Sequence, residues 1–510
     1  MFTRWHSKQS DYPLADPDSS GEILQEITGR EGLDCLQGLT ELLDKLKTAR
    51  GVDVARAFDV VDQLDRTGRP YWRKAAHEYY AGTGRLTNYQ ASRIWASVGE
   101  YMVQLAEAYE FCLAGYETGA AGSAALRSQL LRMIGRALRL RVSAQSWDYV
   151  RYVNHFGRWT EVYRLYQLAE IRGCVDNKVV LYRGGRLCTI EQEFMQGLML
   201  AVAAPHSMLP EQIDVADRVT ARLAHSFALS SGGKGNRPYF FDPASTHPPA
   251  RELPGIRPPL TARRFGPGDA EAELRSLARR AESGELRLSE VGVDRHSEEI
   301  VAPTLRHLLR YWCDGPPERR HSRRREPQRI SVAHGFEEVV AKVGNLPSAY
   351  PFVSAQETWL IDNSAEGGIG ALVASPHGKW ATIGSLVAFR YPEAGVWNLG
   401  IVRHLSEEEA DRFLGIELVS RGGVAVSLRR SKGRGLALGD GCLGVWLAGE
   451  ASTNGQIRLL TPRGIYSPSA ALHLYVHDRE YLLTPRDLIA AGADYQIAGY
   501  SPALRGHEVV

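Results

Sequence analysis

Arginine occurs six times in the eleven positions of Arg319-Arg320-His321-Ser322-Arg323-Arg324-Arg325-Glu326-Pro327-Gln328-Arg329, and lysine does not occur there. A patch serving only solubility or nucleic-acid contact would mix in lysine. Guanidinium alone suits planar, two-pronged or stacking recognition, because its fork matches phosphates and guanine edges. Pro327 keeps the run out of a helix interior and makes it an extended lead-in to the strand begun by Ile330-Ser331-Val332. Taken alone, the run also reads as a basic linker. A second element lies 33 positions beyond Arg329, where Asp362-Asn363-Ser364-Ala365-Glu366-Gly367-Gly368-Ile369-Gly370 ends a strand starting near Trp359. Asp-x-Ser favours a tight turn whose side-chain oxygens bond nearby amides, and the glycines let a ligand approach the backbone. Alone, it is also an ordinary turn between strands.

Other chemistry is poorly represented. No HExxH, GxSxG or P-loop is present. The stretch Gly433-Arg434-Gly435-Leu436-Ala437-Leu438-Gly439 lacks the spacing and strand–helix context of a dinucleotide loop and reads as a hairpin loop. The nearest histidine pair, His473 and His477, has no cysteine or acidic pattern beside it and is expected at the surface. The six cysteines are far apart with no CxxC, so neither zinc nor a disulfide scaffold is signalled. A net charge of +2 gives no global reason to expect nucleic acid. The N-terminus lacks the apolar core of a secretory signal, and the longest apolar stretch, Leu198 to Ala204, falls far short of the roughly 20 residues that span a bilayer. A cytoplasmic location is the expectation.

The elements that must position the two motifs change character near residue 315. Residues 1–20 are polar and turn-rich and read as a flexible tail, with Ser19 and Glu22 as a capping box opening the first helix. Residues 21–230 read as a helical domain. Ile94, Val98, Met102, Leu105, Tyr109 and Cys112 share one helix face, as do Leu126, Leu130, Ile134 and Leu138. The arginines among the latter, Arg127, Arg132, Arg136 and Arg139, read as a solvated face. Residues 231–313 read as an irregular connection, with a strand at 237–241, followed by helices near 269–281 and 298–312. Residues 314–330 form the arginine-rich linker. Beyond it come short β-rich runs at 358–362, 385–389, 397–402, 415–419, 424–428, 444–447 and 471–476, the pattern of a barrel or sandwich. The expected fold class is α+β multidomain: a helical N-terminal region, an antiparallel β-barrel over 330–425 and a β-rich C-terminal extension over 426–510.

The two motifs together resemble the PilZ family of cyclic di-GMP receptors, whose signature is RxxxR ahead of the first barrel strand and then (D/N)xSxxG. Arg325-Glu326-Pro327-Gln328-Arg329 matches the first half and Asp362 to Gly367 the second. Arg320 and Arg324 offer a second RxxxR frame. Ile383 to Val387, Trp397 to Arg403 and Phe413 to Leu418 are similar to later strands of that barrel, so the resemblance covers about residues 318–425. The helical front with Tyr239-Phe240-Phe241-Asp242 and the β-rich tail look like the long PilZ proteins of proteobacteria. The resemblance implies that Arg325 and Arg329 read guanine edges or stack on bases, and that Arg324 reaches a phosphate. It also implies that Asp362 accepts from guanine N–H groups, that Ser364 bonds phosphate or backbone, and that Gly367, followed by Gly368, keeps the surface open. It further implies a binding protein with cyclic di-GMP as ligand and no cofactor, acting on a protein partner through the helical region, in motility, biofilm or polysaccharide output. Cyclase and phosphodiesterase signatures are absent. Two alternatives are a barrel binding nucleic acid through the arginines, and a ligand-free PilZ-like interaction scaffold.

Overall fold

The computed structural model describes residues 11–82, 85–155, 157–230, 237–252, 255, 257–293, 296–315, 324–325, 327–346, 356–374, 380–408, 411–430, 441–448, 456–476 and 479–504. Two compact units result, Met1–Pro317 and Glu318–Val510.

The first unit is helical: α1 (Pro17–Thr28), α2 (Gly32–Thr48), α3 (Val54–Ala81), α4 (Asn88–Glu117), α5 (Leu130–Tyr149), α6 (Arg158–Ile171), α7 (Ile190–Val202) and α8 (Pro210–Leu223). The anticipated face of α4, from Ile94 to Cys112, is buried throughout, and a Thr87/Gln90 capping box starts the helix. Between α6 and α7 the chain makes a hairpin of β1 (Val179–Val180) and β2 (Leu187–Cys188). It docks on α5 at Gly135, where a Cβ would stand 2.5 Å from Leu181 Cδ2.

Three expectations are corrected here. Helix α1 begins at Pro17, so Ser19 lies inside it and is not its cap. The stretch from residue 11 to 16 is not loose: Leu14 is fully buried, and the buried Tyr12 hydroxyl donates to the Leu42 carbonyl at 3.1 Å. Residues 1–10 lie outside the described residues. The arginines of α5 are not a solvated face. Arg136 is buried, pairs with Asp62 and Asp65, donates to the Tyr109 hydroxyl at 2.7 Å and to the Leu181 carbonyl at 2.8 Å. Arg139 pairs with the buried Glu193. Cations enter a core only where carboxylates and carbonyls meet their donors, and α3 and α7 bring these.

The connection expected to be irregular contains a sheet of order β3-β6-β4-β5, made of β3 (Ala228–Ser230), β4 (Tyr239–Phe241), β5 (Ala250–Arg251) and β6 (Arg263–Gly266). Its buried Tyr239, Phe241 and Phe265 join the helical core, with Phe241 stacked on Tyr163 at 5.4 Å. Burying these aromatics gives so short a sheet its place. Helices α9 (Ala270–Glu282) and α10 (Glu298–Trp312) follow.

The second unit holds two closed antiparallel barrels of six strands each. The first comprises β7 (Gln328–His334), β8 (Gln356–Ala365), β9 (Gly368–Ala374), β10 (Leu386–Arg390), β11 (Asn398–Glu408) and β12 (Asp411–Ser420), in the order β10-β11-β12-β9-β8-β7. The second comprises β13 (Gly423–Arg430), β14 (Cys442–Leu447), β15 (Ile457–Pro462), β16 (Leu472–Val476), β17 (Arg479–Ala491) and β18 (Tyr495–Leu504), in the order β13-β14-β15-β18-β17-β16. Closure leaves neither sheet an open edge. The stretch 433–439 lies outside the described residues, and the strands on either side of it, β13 and β14, pair as a hairpin.

Helix α11 (Phe336–Val343) fills the space between β7 and β8 in sequence and joins the barrels in space. Its Val339, Val340 and Val343 share one core with Leu399 and Ile401 of the first barrel and Val445, Leu460 and Ile497 of the second. Across the same junction the Tyr495 hydroxyl donates to the Gly384 carbonyl at 3.1 Å. Among the described residues, no helix of either unit is long and apolar enough to cross a membrane.

Candidate functional site

Strand β8 carries the second motif, and its alternation sorts the side chains. Trp359, Ile361 and Asn363 are buried, whereas Leu360, Asp362 and Ser364 face outward. A register shift falls between Ile361, paired with Ala371, and Asn363, paired with Gly370. Asp362 is therefore the extra residue of a β-bulge, a device that re-aims a side chain at a sheet rim. Its Oδ2 accepts from Asn363 Nδ2 at 2.7 Å. Asn363 Oδ1 is buried with no hydrogen-bond partner among the described residues, and a Cβ at Gly370 would collide with that amide at 2.8–2.9 Å.

The first motif runs antiparallel alongside. The Arg324 amide donates to the Ser364 carbonyl and the Ser364 amide to the Arg324 carbonyl, both at 2.9 Å. Farther along, Gln328 pairs with Ile361 and Arg329 with Leu360. Between these pairings the arginine segment advances four residues and β8 three, a mismatch absorbed around Pro327, which has no amide to pair. Arg324, Arg325 and Arg329 are exposed, and among the described residues none of the three holds a carboxylate. The structure thus brings Arg324, Arg325 and Arg329 beside Asp362 and Ser364, at one end of the β7–β8 pair. Arg319, Arg320 and Arg323, and with them the alternative Arg320/Arg324 frame, lie outside the described residues.

The turn from β8 to β9 completes the group. The Gly367 carbonyl accepts from the Leu418 amide at 2.9 Å, which ties the turn to β12. A Cβ at Gly367 would meet nothing within 4 Å, whereas one at Gly368 would stand 2.1 Å from the Ile416 carbonyl oxygen. Gly368 is thus demanded by its own barrel, and Gly367 is not. Glu417, the register partner of Gly368, pairs with Arg403 at 2.7 Å. This ion pair edges the site, and residue types along the chain do not point to it, because only strand pairing brings residue 417 beside residue 368.

The other end of β7 and β8 is built differently. His334 stacks on Trp380 at 4.0 Å, and Trp380 on Trp359 at 5.6 Å. Glu357 accepts from both indoles, at 2.8 and 3.0 Å. Burial holds the His334 imidazole below its ordinary value, against the pull of Glu357. On β16, His473 is buried and bonds Glu480 at 2.6 Å across the hairpin, which corrects the surface reading; His477 lies outside the described residues. Among the described residues, no His, Cys, Asp and Glu cluster could hold a metal ion.

Comparison with known families bears on the other unit. Residues 19–234 match the family model described as the N-terminal domain of the cyclic-di-GMP receptor FimW. That stretch runs from α1 into the residues after β3 and supports a cyclic di-GMP receptor. No curated protein matches the chain.

Proposed function

We propose that the protein is a cyclic di-GMP receptor that binds the dinucleotide on the outer face of the first barrel, at one end of the β7–β8 pair. The observation carrying this reading is a convergence of two separate parts of the chain. Residues 19–234 match the N-terminal domain of a cyclic di-GMP receptor, and 90 residues beyond the end of that match, at Arg324, an arginine segment hydrogen-bonds beside an outward Asp-x-Ser pair. Three guanidiniums that hold no carboxylate among the described residues suit a dianionic ligand with two guanines. In this reading Arg325 and Arg329 engage guanine, Arg324 a phosphate, and Asp362 the guanine N–H edge. Gly367 and Gly368 form the floor, with Ser364 bonding phosphate or backbone. Charge-assisted bonds worth roughly 1.5–3 kcal/mol each, less the cost of ordering the arginines, correspond to affinities of about micromolar.

The arginine run begins directly after the boundary between the units, at Pro317/Glu318. Ligand held by these arginines restrains that connection, and the helical unit then presents a different surface to a partner protein. Titration calorimetry of the whole chain tests the site. Saturable cyclic di-GMP binding lost in Arg325→Ala/Arg329→Ala is expected, and binding retained by that variant sinks the assignment. Binding to RNA or DNA that falls steeply with salt, without a dinucleotide response, would replace it by the nucleic-acid reading. Small-angle scattering with and without ligand reads the coupling, and an unchanged profile counts against it.

A further inference from the structure

The helical unit contains a cavity of about 560 Å³, a size in which small organic molecules bind. Five elements supply the wall residues that matter here. Helix α3 contributes Arg69, Trp72 and Arg73, and α5 contributes Arg139. Helix α7 contributes Glu193 and Gln196, and α8 contributes Asp217 and Arg218. The tip of the β1–β2 hairpin adds Tyr182 and Arg186.

The chemistry of these walls is specific. The Tyr182 ring lies 3.3 Å from the Arg69 guanidinium and 4.9 Å from that of Arg136, an aromatic platform held by cations. The acids are largely spoken for within the protein: Asp65 by Arg69 at 3.2 Å, Glu193 by Arg139, and Asp214 by Arg218 at 2.9 Å and His296 at 2.7 Å. Arg73 and Arg186 remain. Among the described residues neither holds a carboxylate, and both line the cavity. Desolvation and the neighbouring Arg69, Arg139 and Arg218 hold the Arg73 guanidinium below its ordinary value, so an anion beside it would relieve the repulsion. Asp217 is the remaining acid. It accepts from Gln196 Nε2 at 2.9 Å, and burial, aided by Asp214, pushes its carboxyl up to about 6.

We propose that this cavity is a second ligand site, separate from the barrel, which takes a purine nucleoside phosphate. The phosphate meets Arg73 and Arg186, the base packs against Trp72 and the edge of the Tyr182 ring, whose face Arg69 covers, and its amino edge donates to Asp217. An inorganic anion would use only the arginines, and an uncharged aromatic only the platform. The pairing of cations that hold no carboxylate among the described residues with a carboxylate that accepts only from Gln196, across an aromatic wall, selects a molecule carrying both groups.

The test uses the whole chain bearing Arg325→Ala/Arg329→Ala, so that the barrel site does not contribute. Calorimetric titrations are run with GMP, AMP, cyclic di-GMP and inorganic phosphate. At least one purine nucleotide is expected to bind saturably, about tenfold or more tighter than phosphate. Adding Arg73→Glu/Arg186→Glu should remove that binding with an unchanged melting curve, since neither arginine carries an ion pair among the described residues. Should charge reversal disturb the fold, Arg73→Gln/Arg186→Gln serves instead. Asp217→Asn should weaken nucleotide and leave phosphate unaffected. No saturable binding of any of the four at millimolar concentration, phosphate binding as tightly as nucleotide, or indifference to both arginine changes overturns the proposal. Cyclic di-GMP binding that survives in the Arg325→Ala/Arg329→Ala chain and disappears with Arg73 and Arg186 supports this cavity and overturns the barrel assignment.

Discussion

Alanine at Gly367 and, separately, at Gly368 distinguishes a glycine kept for a ligand from a glycine kept for the fold. At Gly367 the added Cβ stands in open space and the backbone is outside the left-handed region. The folded protein therefore accommodates the methyl, and the stiffer unfolded chain makes the change neutral or stabilising by up to about 1 kcal/mol. At Gly368 the Cβ falls 2.1 Å from the Ile416 carbonyl oxygen and 3.2 Å from its carbon, and neither atom can rotate away because both belong to the β12 backbone. Strands β9 and β12 would have to part, at a cost of about 3 kcal/mol or more. For a unit of this size that lowers the melting temperature by roughly 6–12 °C. Binding should divide the two variants differently. A dinucleotide resting on Gly367 would be lifted by about the length of a C–C bond, stretching charge-assisted bonds worth roughly 1.5–3 kcal/mol each. Affinity for cyclic di-GMP should fall about tenfold to a hundredfold in Gly367→Ala. Differential scanning calorimetry and titration calorimetry on the whole chain read both effects. Wild-type affinity in Gly367→Ala would show that the turn does not touch the ligand, and a wild-type melt in Gly368→Ala would refute the crowding argument.

Asp362→Asn keeps the shape of the bulge but replaces a two-oxygen acceptor by one that must also donate. Cyclic di-GMP affinity should drop by about tenfold with the melt preserved, and unchanged calorimetric affinity removes Asp362 from the site. Arg136→Met leaves the buried Asp65 with Arg69 as its one cation beside the Tyr109 hydroxyl, and Asp62 with only the exposed Arg66, so the helical unit should lose about 3–5 kcal/mol in urea unfolding. A loss under about 1 kcal/mol would show the network to be dispensable. Burial raises the Asp148 carboxyl to about 7, with Arg158 pulling the other way, so the folded state holds its proton more tightly than the unfolded chain. The stability this contributes is present below about pH 4 and is lost as pH rises to about 7. Wild type should therefore lose stability relative to Asp148→Asn across that window, and a pH-independent difference in denaturation midpoint refutes the shift.

Much of the local structure was legible because it follows from spacing along one segment. The buried face of α4 rests on period alone, and the seven β-rich runs on composition and spacing. What escaped depends on partners distant in sequence. Arg136 looks like any surface arginine until α3 brings Asp62 and Asp65 against it. The sheet around Phe241 is stabilised by Tyr163, 78 positions earlier in the chain. Strand β17 is masked by Pro485, Arg486 and Asp487, where its pairing with β18 shifts register, so its sequence alternates poorly and the second barrel reads only as a β-rich tail. For the site, residue types and spacing identified the motifs. The bulge at Asp362 and the main-chain bonds between Arg324 and Ser364 needed the strand register.

Helix α11 also determines how this protein can be cut. The first barrel alone, ending near Ser420, would present Val339, Val340 and Val343 to water once Val445, Leu460 and Ile497 are removed. The result would be an adhesive patch beside the arginine motif, prone to self-association and to spurious ligand responses. The barrel that carries the site is therefore not a portable module. Its smallest self-contained fragment includes both barrels, because they share the core that α11 completes.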